Sequence, residues 1–251
     1  MKKIIITLLF AIVSVHAYAS EGGVELETAP IDINDKASLA RGAKDFAAYC
    51  FSCHSAFFMR YNRIAKDTGM DEAEVRNTFI FTRDKKGDPT KLGDVMKVSM
   101  TEDYARQAFN APVPDLSLTA RARGANWLYT YLHSFYMDAS RPTGTNNIVF
   151  PGVGMPNVLW ELQGLQKPVY KTIQHEGRDV EVLDHLELVQ PGSMSKEEYD
   201  AFATDLTNFM VYLAEPVQAE RRSMGWKVLL FLAGFFVLAY MLKKEYWKDV
   251  H

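Results

Sequence analysis

Cys50-Phe51-Ser52-Cys53-His54 is the stretch of this chain best equipped for chemistry. Two thiols two residues apart, followed at once by an imidazole, form the Cys-x-x-Cys-His signature of c-type haem attachment. The thiols can add across haem vinyl groups to give thioethers, and on one helical turn both sulfurs face the same side of the macrocycle. The adjacent imidazole then falls under the iron as its proximal ligand. The chain has 2 cysteines in all, so no second pair exists to complete a four-cysteine zinc site. His175 and His185 are too far apart in sequence to supply the His pair of a mixed one. A thioredoxin-type dithiol is the remaining alternative. It normally follows a strand, whereas the residues before Cys50 have helical spacing.

An iron held by His54 has a second axial position, and its occupant decides function. A Met thioether favours Fe(II), raises the potential and closes the iron to substrates, which suits electron transfer. An open position suits gas binding or peroxide chemistry. Met155 is the first candidate. It lies in Phe150-Pro151-Gly152-Val153-Gly154-Met155-Pro156, where paired glycines and prolines exclude regular structure and remove the Met from any core stripe. Met100 is the main rival, with Met59, Met96 and Met137 behind it; methionines of this kind ordinarily fill cores. His133 would give bis-His ligation, but it lies in an aromatic helical stretch. Haem propionates want Arg partners when partly buried. Arg121 and Arg123 are the candidates, the alternative being a solvated helix face.

These residues need elements to position them. Asn34 or Asp35 caps a helix through Leu39, Ala43, Phe46, Ala47 and Cys50, with the signature at its C-terminal end. Arg60-Tyr61-Asn62-Arg63 continues into a short basic helix. Asp71 caps a helix through Val75 and Phe79, and Thr101 caps another toward Phe109. Residues 87–93 read as a polar turn. Ala111-Pro112-Val113-Pro114-Asp115 is a rigid loop, because each proline fixes its own φ and drives its predecessor to extended geometry. Ser117 starts the next helical stretch. Trp127, Tyr131, Leu132, Phe135 and Tyr136 then form an aromatic face that suits a core or the wall of a haem pocket. Residues 141–147 read as a loop. Val169–Ile173 and Val180–Leu188 read as a β-hairpin turning at Glu176-Gly177. Ser195-Lys196-Glu197-Glu198 is a capping box. It opens a helix with Tyr199, Phe202, Leu206, Phe209, Met210 and Leu213 on one face, ended by Glu215-Pro216.

The two ends of the chain are of a different kind. Met1-Lys2-Lys3, the apolar run 4–15 and Ala17-Tyr18-Ala19 form a cleavable export signal, giving a leader over 1–19 and a mature protein from about Ser20. Residues 20–222 are then an exported haem domain. Residues 223–242, whose stretch 228–242 is uncharged and almost wholly apolar, are long enough to cross a bilayer as a helix. Trp226, Tyr240, Tyr246 and Trp247 suit the two interfaces, and Lys243, Lys244 and Lys248 suit a cytoplasmic tail over 243–251. The net charge of −3 over 251 residues, with no Lys/Arg run, gives no sign of nucleic-acid binding.

The residues also carry a resemblance. Arg41-Gly42, Cys50 to Ser55, Met59 to Arg63, Pro114-Asp115-Leu116-Ser117, Ala122-Arg123-Gly124, Arg141-Pro142-Thr143-Gly144, Asn146-Asn147, Val153-Gly154-Met155-Pro156 and Leu159-Trp160-Glu161-Leu162 occur in this order. As a set they closely resemble the bacterial cytochrome c1 family, the haem subunits of the cytochrome bc1 complex (ubiquinol–cytochrome c reductase). Val113 and Asn157 depart from the family's usual Pro and His. The resemblance implies a mainly α, class I cytochrome c-type haem domain with long loop insertions and a small β-hairpin, plus one C-terminal transmembrane helix. It implies one haem c on Cys50 and Cys53, His54 and Met155 as axial ligands, Arg123 near a propionate and Trp127 near the pocket. It implies cytochrome b and a Rieske iron–sulfur protein as partners, cytochrome c as electron acceptor, and a bacterial inner-membrane protein with its haem domain in the periplasm. Three other functions compete: a free-standing anchored cytochrome c, a haem enzyme or gas sensor with an open iron, and a haem-free dithiol oxidoreductase.

Overall fold

A computed structural model of the chain describes residues 24–84, 86–175 and 177–249. The leader expected over 1–19 lies outside them. The fold is mainly helical and is centred on a crossing of two helices distant in sequence. Helix α1 (Lys36–Tyr49) starts where the Asp35 carboxylate accepts from the backbone N–H groups of Ala37 and Ser38. It is followed by β1 (Ala56–Arg60), α2 (Tyr61–Thr68), α3 (Glu72–Phe79), β2 (Val95–Met96), α4 (Glu102–Phe109), α5 (Thr119–Arg123) and α6 (Ala125–His133). Then come β3 (Phe135–Met137), β4 (Thr145–Asn147), the single turn α7 (Trp160–Gln163), β5 (Gly164–His175), β6 (Arg178–Pro191), α8 (Lys196–Ala214) and α9 (Gln218–Tyr246). Each sheet is an antiparallel pair: β1 with β2, β3 with β4, β5 with β6.

The capping box at Ser195 is present in full: its hydroxyl accepts from the Glu198 N–H while the Glu198 carboxylate accepts from the Ser195 N–H. All six apolar residues assigned to one face of α8 are buried. Helix α8 crosses α1 at Gly42. A Cβ there would stand 2.0 Å from the Asp205 backbone oxygen and 2.9 Å from Phe209 Cβ. Beside the crossing, Phe46 meets Phe209 with ring centroids 5.5 Å apart, and Tyr49 meets Phe202 edge-on. Arg41 grips the Asp205 carboxylate with two N–H groups, at 2.5 and 2.9 Å.

Asp45, one turn beyond Arg41, is less well served. Burial first, and then the nearby Asp205 charge, push its pKa from 3.8 up to about 6, against the smaller pull of Arg41. A carboxyl whose pKa is higher folded than unfolded contributes stability at low pH that is lost as pH rises through the folded value. Above pH 6 the ionised Asp45 costs on the order of 1 kcal/mol, allowing for solvent screening at this partly exposed site. Asp45→Asn is therefore expected to raise the unfolding temperature at pH 8, by about 2–4 °C for each kcal/mol relieved, and to leave it nearly unchanged at pH 4. Thermal melts across that range check this; a gain that is equal at both ends would contradict the assignment.

The structure departs from the sequence-based expectations at several elements. Phe135 and Tyr136 are not on the aromatic helix but in β3, because α6 stops at His133. Its last carbonyls are taken by side chains from elsewhere: Tyr131 O by Asn147 Nδ2, Leu132 O by the Tyr199 hydroxyl, and His133 O by Gln163 and Gln166. Ser117 does not start α5, which begins at Thr119; the Ser117 hydroxyl accepts from the Phe58 N–H instead. Thr145–Asn147 is a strand rather than loop. The hairpin is much longer than expected, with 12- and 14-residue strands. Neither of its faces is buried along most of its length, so its polar residues carry no period-2 signal. Cross-strand ion pairs, Lys167–Glu187 and Lys171–Asp184, help to hold it.

Helix α9 has 29 residues and so is about 43 Å long at 1.5 Å per residue, more than the ~30 Å of a bilayer's hydrocarbon. None of its apolar window is buried inside the protein. The expected span 223–242 lies inside it, and Lys243 and Lys244 form its last turn.

Candidate functional site

Residues 50–54 continue α1 by one further turn: the N–H of Cys53 and that of His54 both bond to the Cys50 carbonyl, at 3.1 and 2.9 Å. This turn puts Cys50, Cys53 and His54 on the wall of a cavity of about 530 Å³, within the range of small-molecule and cofactor sites. Cys50 and Cys53 are not joined by a disulfide. Burial pushes the Cys50 thiol up to about 12, the opposite of the lowered value that a redox dithiol needs for its attacking thiolate. Among the described residues, no group of three or more His, Cys, Asp and Glu side chains gathers to hold a metal ion.

The Pro-rich loop that runs past the signature fixes the state of His54. Nδ1 of His54 lies 2.8 Å from the Pro114 carbonyl. A carbonyl only accepts, so Nδ1 carries the ring proton and Nε2 keeps its lone pair, the tautomer that an axial ligand needs. Burial lowers the His54 pKa, which also favours the neutral ring. The loop is itself tied to the chain just after the signature. The Leu116 N–H bonds to the Ser55 carbonyl, the Asp115 carboxylate accepts from the Phe57 and Ser117 N–H groups, and the Ser117 hydroxyl accepts from the Phe58 N–H. Asp115 and Ser117 thus hold the loop that holds the imidazole, a role their residue types alone do not disclose.

Met155 lines the same cavity. Its loop is pinned from β4 and the turn before it. Asn146 Oδ1 accepts from the Gly152 N–H at 2.8 Å, Asn147 Oδ1 accepts from the N–H groups of Val149 and Phe150, and Arg141 donates to the Gly152 carbonyl at 2.7 Å. Asn147 is fully buried, and through Tyr131 O it also fastens this loop to α6. The Met155 sulfur accepts a hydrogen bond from the Tyr131 hydroxyl at 3.3 Å.

Arg123 and Trp127 line the cavity too, so all six residues singled out from the sequence converge there. The Arg123 guanidinium stands 5.1 Å from the centroid of the Trp127 ring and 5.8 Å from that of Phe150. The turn that separates them is made at Gly124, with φ of 90°, where a side chain would be strained. Arg121 is not on the cavity; it pairs at 3.0 Å with Glu215, which also binds Arg221 at the start of α9. The rival sixth ligands are elsewhere as well. Met59 and Met96 are in the core, and neither they nor Met100 or Met137 line the cavity. Both ring nitrogens of His133 face away from it, one to the Tyr129 carbonyl at 2.8 Å and the other to Asp200 at 3.1 Å. A second methionine does reach the wall: Met210, from α8, which its place in a helical apolar stripe had marked as core alone.

Most of the remaining lining is apolar, from residues such as Ala111, Val113, Leu116, Leu128, Val153 and Leu206. Two thiols, an imidazole nitrogen, a thioether sulfur and a guanidinium on an otherwise largely apolar wall would suit a flat apolar macrocycle that carries thiol-reactive groups, a metal and anionic substituents. The profile of the cytochrome c1 family matches residues 27–250, nearly the whole chain. The chain belongs to the cytochrome c1 family. It is 48% identical over 251 residues to cytochrome c1 of Allochromatium vinosum, covering all of both chains. It is 46% identical to a protein of Nitrosomonas europaea named ammonia monooxygenase gamma subunit, over all of this chain and 99% of that one. It is 26% identical to the mitochondrial cytochrome c1 haem protein of Saccharomyces cerevisiae, over 88% of this chain and 70% of that one. Cytochrome c1 membership makes this an electron-transport protein of the respiratory chain, carrying a c-type haem and tied to a membrane. Helix α9 fits the membrane anchor that the family has. The two departures from the usual cytochrome c1 pattern are accommodated locally. Val113 keeps the cavity wall apolar, and buried Asn157 accepts from the Leu159 N–H at the entry to α7.

Proposed function

We propose that this chain relays single electrons from a Rieske iron–sulfur protein to a cytochrome c within a cytochrome bc1 complex. Cys50 and Cys53 would hold the haem as thioethers, and His54 and Met155 would be the ligands of its iron. When bound, the haem supplies a one-electron Fe(III)/Fe(II) centre. The residues of this chain set its working conditions. Pro114 keeps His54 in the ligating tautomer, the Pro/Gly loop brings a thioether that favours Fe(II), and Arg123 meets the negative charge of the propionates. The apolar wall keeps water from the centre, which raises the cost of the more highly charged oxidised state. The crossing of α1 and α8, with the signature at the end of α1, supports a class I haem domain with long insertions. Family membership supports cytochrome b as the neighbour of α9. The expected leader and the lysines after the span support a periplasmic haem domain.

The observation that carries this reading is the convergence of six sequence-selected residues on one cavity, with the Nδ1 proton of His54 already committed to Pro114. The test is purification in mild detergent with a reduced-minus-oxidised spectrum, followed by haem-linked peroxidase staining after denaturing electrophoresis. The expected result is b- and c-type bands in one particle, with stain on this chain. A c-type band in a particle free of b haem would favour the free-standing cytochrome; haem lost on denaturation would refute thioether attachment.

The name of the Nitrosomonas relative suggests an oxygenase subunit. Oxygen activation at the haem of this chain would need an iron position open to oxygen, and Met155 is the donor that would close it. Rapid binding of carbon monoxide by the reduced protein would favour the oxygenase reading over the relay.

A further inference from the structure

We infer that the Tyr131 hydroxyl is a positioning group for the Met155 sulfur: it occupies one lone pair of the thioether, leaving the other for the iron, and weakens the sulfur as a donor to Fe(III). This rests on the proposed ligation by Met155 and adds a residue that sets its orientation and strength.

The donor is unambiguous, because a thioether has no proton to give and the phenol has one. The contact is 3.3 Å, a usual length for a bond to sulfur. Tyr131 is also held in place from several sides. Its ring stacks on Trp127, with centroids 5.0 Å apart and planes 12° from parallel, and meets the edge of Phe135 at 5.0 Å. Its carbonyl is fixed by Asn147, the buried residue that also fixes the backbone of the Met155 loop. The phenol and the sulfur are therefore carried on segments locked to each other.

Two consequences follow from elementary bonding. A ligated thioether sulfur has three substituents and one remaining lone pair, so a fixed hydrogen bond selects which of the two lone pairs binds metal, and hence the handedness at sulfur. Hydrogen bonding also draws electron density from sulfur. The loss matters more to Fe(III), which needs donation more, so the bond favours Fe(II) and raises the potential.

The experiment is a redox titration of the assembled complex in detergent, with the near-infrared sulfur-to-iron band of the oxidised protein as a second readout, for wild type, Tyr131→Phe, Tyr131→Leu and Met155→Lys. Phenylalanine keeps the ring and removes only the hydroxyl. Tyr131→Phe is expected to lower the equilibrium constant for reduction about three- to tenfold, the latter being 59 mV for one electron, and to shift the near-infrared band without abolishing it. Tyr131→Leu, which also loses the aromatic packing, is expected to show at least the same fall. A purely structural role predicts wild-type potential and band in Tyr131→Phe with a change only in Tyr131→Leu, and that result would overturn the inference while Met155→Lys still lost the band. A band that persisted in Met155→Lys would instead remove Met155 as ligand, and the inference with it. Should Tyr131→Phe fail to accumulate, an unchanged potential and band in Tyr131→Leu would overturn the inference equally.

Discussion

Gly42→Ala is expected to unfold the haem domain at a temperature about 6–12 °C below that of wild type. The added methyl would stand 2.0 Å from the Asp205 carbonyl oxygen and 2.6 Å from its carbon. Both atoms are backbone of α8, so no rotamer change can clear them and the two helices must separate. Overpacking of a core ordinarily costs about 1–3 kcal/mol and sometimes more. Here the upper end applies, because separation also loosens the Phe46–Phe209 and Tyr49–Phe202 contacts and strains the Arg41–Asp205 pair. A loss of about 3 kcal/mol is a large share of the 5–15 kcal/mol by which a domain is stable, and at ~2–4 °C per kcal/mol it gives the shift stated. Gly93→Ala is the control: its backbone is not left-handed and its Cβ would meet nothing within 4 Å. Thermal unfolding of both variants in detergent, followed at the haem absorption, decides the matter. If Gly42→Ala melted with Gly93→Ala, the close approach of α1 and α8 would be looser than the geometry requires.

Gly42 illustrates what could and could not be read from the chain. Its neighbours declare a helix: Asp35 is a good cap, and Leu39, Ala43 and Phe46 recur at helical spacing. The capping box at Ser195 and the stripe through Leu213 declare another. That the two cross at Gly42 is invisible in either pattern, because a pattern records which face is apolar and not what lies against it. The candidate site was legible to an unusual degree, since Cys-x-x-Cys-His combines three chemical roles in five residues and the Pro/Gly loop set Met155 apart from the other methionines. Its supports were not. Asn147 is one polar residue among several in a turn-like stretch, yet it joins α6 to the loop by three side-chain bonds. The end of α6 was missed for a related reason. Gln163, Gln166 and Tyr199, remote in sequence, satisfy carbonyls that a local pattern leaves unaccounted for. Arg121 and Arg123 are alike in sequence and two residues apart, and only the position of Glu215 shows why one turns to α9 and the other to the cavity.

Met155→Lys is expected to lower the haem potential by several tenfold steps in the reduction equilibrium and to stall quinol oxidation in a complex that still assembles. The loop should survive the change. Its backbone is held by Asn146, Asn147 and Arg141 through bonds to Val149, Phe150 and Gly152 rather than to Met155 itself, and the position is only partly buried. On the proposed ligation, what changes is the donor. A thioether is a weak donor to Fe(III) and so favours Fe(II); an amine nitrogen is harder and stabilises the oxidised metal, and a water entering in its place does the same. Each step of about 59 mV is a tenfold change for a one-electron centre, so a drop of several steps leaves a Rieske donor unable to reduce the haem. The loss of one Met side chain from the wall, at most about 2–5 kcal/mol even in a full core, affects assembly far less than the potential affects turnover. Two controls separate ligation from packing. Met100→Leu alters a methionine away from the cavity, and Met210→Leu alters the other methionine that lines it; both are expected to keep the near-infrared band and a potential close to that of wild type. If the band survived Met155→Lys and vanished in Met210→Leu, the sulfur on α8 would be the ligand, and the Pro/Gly loop would be a wall of the cavity without a part in its iron chemistry.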